Sequence, residues 1–335
     1  MQEEKIYLGI DGGASKLLFQ TIKIVKNSRY AHTGEYCKEI SYKDFEGWDN
    51  SFEPEKVETQ KIFSKKNKFF LSTKETNQGK VIIKIIEKFY KIAVRDIGTI
   101  CGVGLCFPGI KTPDLRGTII MANGPRIPNL CEQLNKKNIA VDIIYNDSDC
   151  CVTGEMFWEN GSLKNVANAI YIGGGTGIAD GIVINGNIVN FNSDSNLKKS
   201  WELTLPSGKT IESSLSPKFL IKNYNSLNPK NHINTLDEII LQADNKNSYA
   251  IKIIDEAVKA LHFLIDNRLK YINNKTGENC QKIVIGQRLG LSLSLKKGEN
   301  SFMKTILSEK KHRVPINISI ERKTAAIGAA WKSFC

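Results

Sequence analysis

The chain has 335 residues, 41% of them hydrophobic and 24% charged, which fits a folded globular protein of about two domains and excludes disordered, fibrous and collagen-like classes. The net charge of +12 comes from lysines scattered along the chain rather than gathered in one helix or tail, so no nucleic-acid partner is expected. No apolar run approaches the ~18 residues of a membrane span, and MQEEKIYLGIDGG lacks the basic and apolar regions of a signal peptide; no membrane partner and a cytoplasmic location are expected.

In chain order, Lys5 to Ile10 reads as a strand that runs into Asp11-Gly12-Gly13-Ala14-Ser15-Lys16, after which Leu17 to Val25 returns as a second strand. Residues 31 to 80 are polar and irregular and read as a long loop or small insertion. Val81 to Ala93 has helical apolar spacing, and Thr99 to Leu105 reads as a buried strand ending at Cys106-Phe107-Pro108-Gly109. Val141 to Tyr145 is a further buried strand with Asn146-Asp147 at its carboxyl end, followed by a helix begun near Ser148.

Ala169 to Ile172 then enters Gly173-Gly174-Gly175-Thr176-Gly177, and Ile182 to Ile184 leaves it. This repeats the plan of the first hairpin, and the separation is too long for a solenoid, so two similar domains are predicted. Residues 191 to 212 read as irregular, Ser248 to Tyr271 as a long helix, and Lys282 to Ile285 as a buried strand before Gly286-Gln287-Arg288. A strand near Ile316 to Ile320 and a helix over Thr324 to Lys332 close the chain. The eight cysteines form no Cys-x-x-Cys pair and no zinc-spaced cluster, so reduced, mostly buried thiols are expected.

Glycine-rich tips expose backbone N–H groups that attract phosphate oxygens, and two of them would suit a triphosphate. A tight hairpin needs glycine for positive φ in any case, so either tip alone also reads as a plain turn. Neither matches a Walker or dinucleotide-binding loop. Asp11 can hold Mg²⁺ through water; the alternative is an Asp that simply forms the turn. Asp147 follows a buried strand, where open α/β sheets place ligand-contacting residues, and is a candidate general base; the alternative is an Asp that caps the following helix.

These residues resemble the ROK family of bacterial sugar kinases and repressors, within the actin-like, hexokinase-like ATPase superfamily. LGIDGGASK and GGGTGIADGIVINGNIV are similar to its two phosphate motifs, and GVGLCFPGI and IPNL to its glycine-proline turn and Pro-Asn-Leu segment. NDSDCCVTGE resembles the Asn-Asp-x-Asn…Gly-Glu signature, and IESSLSPKFLIKNY the stretch with the sugar-binding Glu. KIVIG and AAIGAAW resemble the adenosine-side strand and the closing helix.

The resemblance implies an α/β fold of two ribonuclease-H-like domains flanking a cleft, with residues 1–122 and the closing helix 321–335 forming the phosphate-binding domain and 123–320 the sugar- and nucleotide-binding domain. It implies ATP-dependent phosphorylation of a hexose or N-acetylhexosamine, with ATP and Mg²⁺ as cofactors. Asp147 is the implied base; Asn146, Glu212 and Asn129 hold the sugar; Asp11 positions Mg²⁺. Gly12, Gly13, Ser15, Lys16, Gly175, Thr176, Gly177 and Gly286 surround the nucleotide. The partners are the sugar and ATP, and a homodimer is left open.

Three departures from the family pattern stand out. Residues 190 to 212 lack the family's Cys/His loop, so no structural zinc is expected, and packing of Trp201, Leu203 and Leu205 is expected to order the segment instead. Asp180 stands where a small glycine is usual and would bind metal, point to solvent or weaken nucleotide binding. Gln287 and Arg288 replace glycines near the adenosine, and their side chains must either turn away or fill part of that site. The chain opens at the phosphate hairpin without a preceding helix-turn-helix, which argues against the repressor branch. The competing reading is a non-catalytic sugar- or nucleotide-binding regulator on the same fold.

Overall fold

A computed structural model describes residues 4–65, 70–175, 177–293 and 312–335. The chain divides into two compact units, Met1–Gly161 with Lys323–Cys335, and Ser162–Arg322.

In the first unit, β1 (Glu4–Gly12) and β2 (Lys16–Val25) form the predicted hairpin, and β3 (His32–Ser41) extends it on one side. β4 (Gly102–Cys106) runs parallel to β1, a short hairpin β5 (Ile110–Lys111) and β6 (Thr118–Ile120) follows, and β7 (Ile144–Tyr145) runs parallel to β4. The main sheet has the order β3-β2-β1-β4-β7. Strand alternation sorts side chains to its two faces. Leu8 and Ile10 join Ile82, Ile85 and Ile86 of one core cluster, while Tyr7 joins Ile327 and Trp331 of another.

Helix α1 is Val57–Lys65, and α2 (Thr73–Ile97) covers the first face. Ser72 caps α2 by accepting a bond from the Glu75 N–H, one of the helix donors otherwise left unpaired. Helix α3 (Leu130–Asn135) leads towards β7 and α4 (Asp147–Phe157). The last helix of the chain, Thr324–Lys332, packs on α4 and on β1, β2 and β4. That approach is close because glycines face it: a β-carbon on Gly328 would lie 1.8 Å from the Cys150 carbonyl oxygen, and one on Gly154 2.2 Å from that of Thr324.

The second unit repeats the topology. β8 (Ala169–Gly174) and β9 (Ile178–Ile184) form its hairpin, with β10 (Asn187–Ile188), β11 (Lys282–Gly286) and β12 (Ile316–Ile318) in the order β10-β9-β8-β11-β12. In each sheet the hairpin's first strand pairs in parallel with the fourth strand, so the duplicated glycine tips sit at equivalent places. Helices α5 (Ile211–Leu215), α6 (Pro217–Leu227), α7 (Leu236–Asp244) and α8 (Ser248–Thr276) build the core of this unit with the sheet. Asn247 caps the start of α8, and Gly277 ends it in the left-handed conformation. Helix α9 is Gln287–Leu293, and the closing helix is therefore α10.

Two sequence expectations change. The stretch 31–80 is not a loop: it contains β3, α1 and the start of α2, and β3 was hidden because an edge strand with exposed Glu35 and Glu39 reads as polar. The boundary at 122 falls inside the first unit, because β7 pairs with β4 and α4 packs on α10. All eight cysteines are free thiols; Cys106, Cys131, Cys150, Cys151 and Cys280 are buried, and Cys101 and Cys335 exposed. Among the described residues no helix is long and apolar enough to cross a membrane.

Candidate functional site

In the first unit the carboxyl ends of three parallel strands converge on one row. Asp11 of β1 is the register partner of Cys106 in β4, which is the partner of Tyr145 in β7, and Asn146-Asp147 follows immediately. The Cys106 thiol donates to Asp11 Oδ1 at 3.4 Å. Burial pushes the Asp11 carboxyl up to about 6, and the neighbouring Asp147 charge adds to the shift. A hydrogen bond with Cys150, then burial and the Asp11 charge, hold the Cys106 thiol well above its ordinary range, which keeps it an unreactive donor.

Asp147 occupies the first position of α4, where the helix dipole favours a negative charge. Its Oδ1 accepts from the Ser148 N–H at 2.9 Å. The N-cap position belongs to Asn146, so Asp147 is not the cap that the alternative reading required. Asn146 Oδ1 accepts from Lys111 Nζ at 2.9 Å, and its Nδ2 reaches Asp149 Oδ2 at 3.4 Å. Lys111 also donates to the Gly109 carbonyl at 3.0 Å. Burial lowers the Lys111 pKa while the charge of Asp147 opposes that shift; burial raises Asp149. Lys111 and Asp149 escaped the sequence reading, whose only signals were a lysine just past the Pro108-Gly109 turn and an aspartate inside the NDSD run.

The first glycine tip is braced by Tyr42, whose hydroxyl donates to the Gly13 carbonyl at 2.9 Å and whose N–H donates to the Ser15 carbonyl at 2.9 Å. Gly12 is required by packing, since a β-carbon there would overlap the Phe107 ring at 2.0 Å. Ser15 is exposed, and Lys16 pairs with Glu39 at 2.5 Å. Asn129 is exposed at the N-cap of α3. Its segment is fixed by the buried pair Arg126–Glu75 at 2.7 Å.

In the second unit, Gly175 N donates to the Gly177 carbonyl at 2.9 Å and closes the other tip. Thr176 lies outside the described residues. Half-buried Glu212 accepts from the Ile178 N–H at 2.8 Å, and burial raises its pKa. Gly286 sits under Tyr171, whose hydroxyl would be 2.5 Å from a β-carbon there. Gln287 has φ 57, the left-handed conformation that a glycine takes without strain, and it bridges Gly174. Its side-chain Oε1 would lie 2.7 Å from a β-carbon on Gly173. The amide therefore lies over the tip, whereas Arg288 is exposed.

Asp180 does not point to solvent. It is buried and paired with Arg268, Nε to Oδ2 at 2.5 Å, and Arg268 Nη2 donates to the Lys198 carbonyl at 2.8 Å. This pair, the Ser200 hydroxyl on the Ile178 carbonyl at 2.9 Å, and buried Leu197 and Leu203 order the segment 190–212. Trp201, expected to pack there, is 47% exposed because its neighbour Ser200 takes the inward position.

Residues 56–191 match the ROK family model. No curated protein sequence matches the chain. Among solved structures, the chain is similar to a ROK hexokinase from Thermus thermophilus at 14% identity, with 99% of this chain and 98% of that one covered and a TM-score of 0.65. It is similar to a ROK family glucokinase from Streptomyces griseus in complex with glucose and AMPPNP at 14% identity, 99% of each chain and a TM-score of 0.59. It is also similar to a ROK family transcriptional regulator, a homologue of the E. coli MLC protein, at 12% identity, 98% of this chain, 78% of that one and a TM-score of 0.63. Over residues 56–191 the chain matches the ROK family, and over nearly its whole length it has the α/β fold that these hexokinase-like proteins share.

Proposed function

We propose that the protein transfers the γ-phosphoryl group of ATP to a hydroxyl, the 6-OH, of a hexose or N-acetylhexosamine. The observation that carries this reading is the convergence of Asp11 and Asn146-Asp147 at the carboxyl ends of adjacent parallel strands, with Asp147 held at a helix N-terminus. In the reaction the acceptor oxygen bonds to the γ-phosphorus as its proton passes to Asp147, and the bond to the β-phosphate bridging oxygen breaks to release ADP. Asn146, Asn129 and Glu212 bind sugar hydroxyls. Gly12, Gly13, Ser15, Lys16, Gly175, Thr176, Gly177 and Gly286 surround the nucleotide, and a cytoplasmic location suits these substrates.

The residues fit Mg²⁺. Asp11 is a hard oxygen donor whose pKa is raised by burial first and by the nearby Asp147 charge second, and a cation beside the two carboxylates would offset that charge. Among the described residues no cluster of three or more ligating side chains could cage a metal ion. That suits an ion that retains waters and substrate phosphates around one or two carboxylates. When bound, Mg²⁺ would offset phosphate charge.

A second reading, a sugar- or nucleotide-binding regulator, is favoured by the Gln287 amide over the tip. Sugar-dependent ADP release over a panel of hexoses and N-acetylhexosamines separates the two. Asp147→Asn is expected to lower kcat by about 10²-fold or more with sugar affinity changed only a few-fold, since a base acts in the transition state. No turnover with retained sugar binding would establish the regulator.

A further inference from the structure

A residue at a helix N-cap ordinarily spends its side chain on the N–H groups two or three positions ahead. Asn146 makes no such bond. Its amide is held sideways instead, with Oδ1 on the Lys111 ammonium at 2.9 Å and Nδ2 towards Asp149 Oδ2 at the longer distance of 3.4 Å. An ammonium only donates and a carboxylate only accepts, so these two partners permit one orientation of the amide.

Lys111 is itself fixed. Its second acceptor is the Gly109 carbonyl at 3.0 Å, and its backbone pairs with Thr118 in the β5–β6 hairpin. Thr118 in turn exchanges backbone bonds with Ile127, at 2.9 and 3.1 Å, so the lysine sits on a two-stranded hairpin tied to a further backbone segment rather than on a free loop. A half-buried ammonium is costly unless anions offset it, and the charge of Asp147, with a smaller contribution from Asp149, offsets part of that cost.

We infer that Lys111 is a positioning residue of the acceptor site, locking the Asn146 amide against Asp149 so that one Oδ1 lone pair and one Nδ2 proton remain for a sugar hydroxyl. The inference rests on the assignment of Asn146 to the sugar. A positioning role through Asn146 differs from a merely structural one in what it moves: acceptor affinity should change while ATP affinity and folding do not.

The test uses the full chain and the best acceptor from the panel, with KM and kcat from ADP release and sugar Kd from calorimetry without ATP. Lys111→Met should raise sugar KM and Kd about tenfold, the worth of one charge-assisted hydrogen bond, with ATP KM and Tm unchanged. Lys111→Arg, which keeps charge and donor, should restore most of the affinity. Asp149→Asn, which leaves the lysine in place but loosens the counter-anchor, should raise sugar KM by less and provides a reading should Lys111→Met fail to fold. Sugar KM and Kd within twofold of wild type in Lys111→Met, or in Asp149→Asn and Lys111→Arg together where Lys111→Met does not fold, overturn the inference while the kinase reading stands. A wild type that neither turns over nor binds any sugar overturns both.

Discussion

The Glu212 carboxylate accepts a hydrogen bond from the Ile178 N–H at 2.8 Å and lies over Gly177, where a β-carbon would come within 2.6 Å of Oε1. One side chain on α5 thus braces the glycine tip between β8 and β9. A residue proposed to bind the sugar is at the same time a support of the proposed phosphate loop, and its two tasks can be separated by choice of substitution.

Glu212→Gln keeps an oxygen that can accept from Ile178 but loses the negative charge. It should raise sugar KM several-fold while ATP KM stays near wild type. Glu212→Ala removes the brace and should raise both constants. Initial-rate kinetics with each substrate varied decide it, and an ATP KM shift as large in Gln as in Ala would leave Glu212 with no special role towards the sugar.

Asp11 titrates at about 6 in the folded chain against an ordinary 3.8, chiefly because of burial and then the Asp147 charge. Between those values the folded state binds more protons than the unfolded state, so stability falls as pH rises through the window. The loss reaches about 3 kcal/mol above it. In metal-free buffer Asp11→Asn should therefore be more stable than wild type at pH 8, and the advantage should vanish near pH 4. Urea midpoints across that range test the sign; a pH-independent difference would contradict it.

The buried pair Asp180–Arg268, with side chains 2% and 0% exposed, fixes the segment 190–212. Arg268→Met leaves the aspartate charge buried and unpaired, at a cost of about 3 to 5 kcal/mol. Adding Asp180→Leu should recover much of that loss, because the penalty lies in the orphaned charge. Denaturant unfolding of both variants checks this, and equal stability of single and double variants would place the cost elsewhere.

The two glycine hairpins and α10 were legible because their signals are local: apolar strands flanking a tip, and helical spacing over Thr324–Lys332. The convergence of Asp11 with Asn146-Asp147 was legible only through resemblance, since β1, β4 and β7 pair over long separations. The solvent-facing option for Asp180 fails because its partner Arg268, which holds it in the interior, lies far along the chain in α8. Lys111 was invisible for a similar reason: nothing near it in sequence announces that the β5–β6 hairpin brings it to Asn146. Trp201 was misread because hydrophobicity predicts burial only on average, and a turn can send its largest side chain outward.

Gln287 and Arg288 can now be treated separately. Arg288 is exposed, so Arg288→Gly should leave stability unchanged, and a loss of ATP affinity in that variant would report a contact between the guanidinium and the nucleotide. Gln287 holds a left-handed backbone at φ 57, which costs a non-glycine residue roughly 1 to 2 kcal/mol, and lays its amide against Gly173 at the tip. Replacement by glycine relieves that strain but adds freedom to the unfolded chain, so net stability should change little. ATP affinity is then a clean readout. The amide atom nearest the tip is the acceptor Oε1, so a phosphate oxygen would be met by the Nε2 donor once the amide turns over, and Gln287→Gly should then weaken ATP binding by about twofold to tenfold, the range of one neutral hydrogen bond. Tighter binding in Gln287→Gly would mean instead that the side chain obstructs the site, and would strengthen the regulator reading over the kinase. Titration of wild type and both single variants with ATP separates these outcomes without requiring turnover.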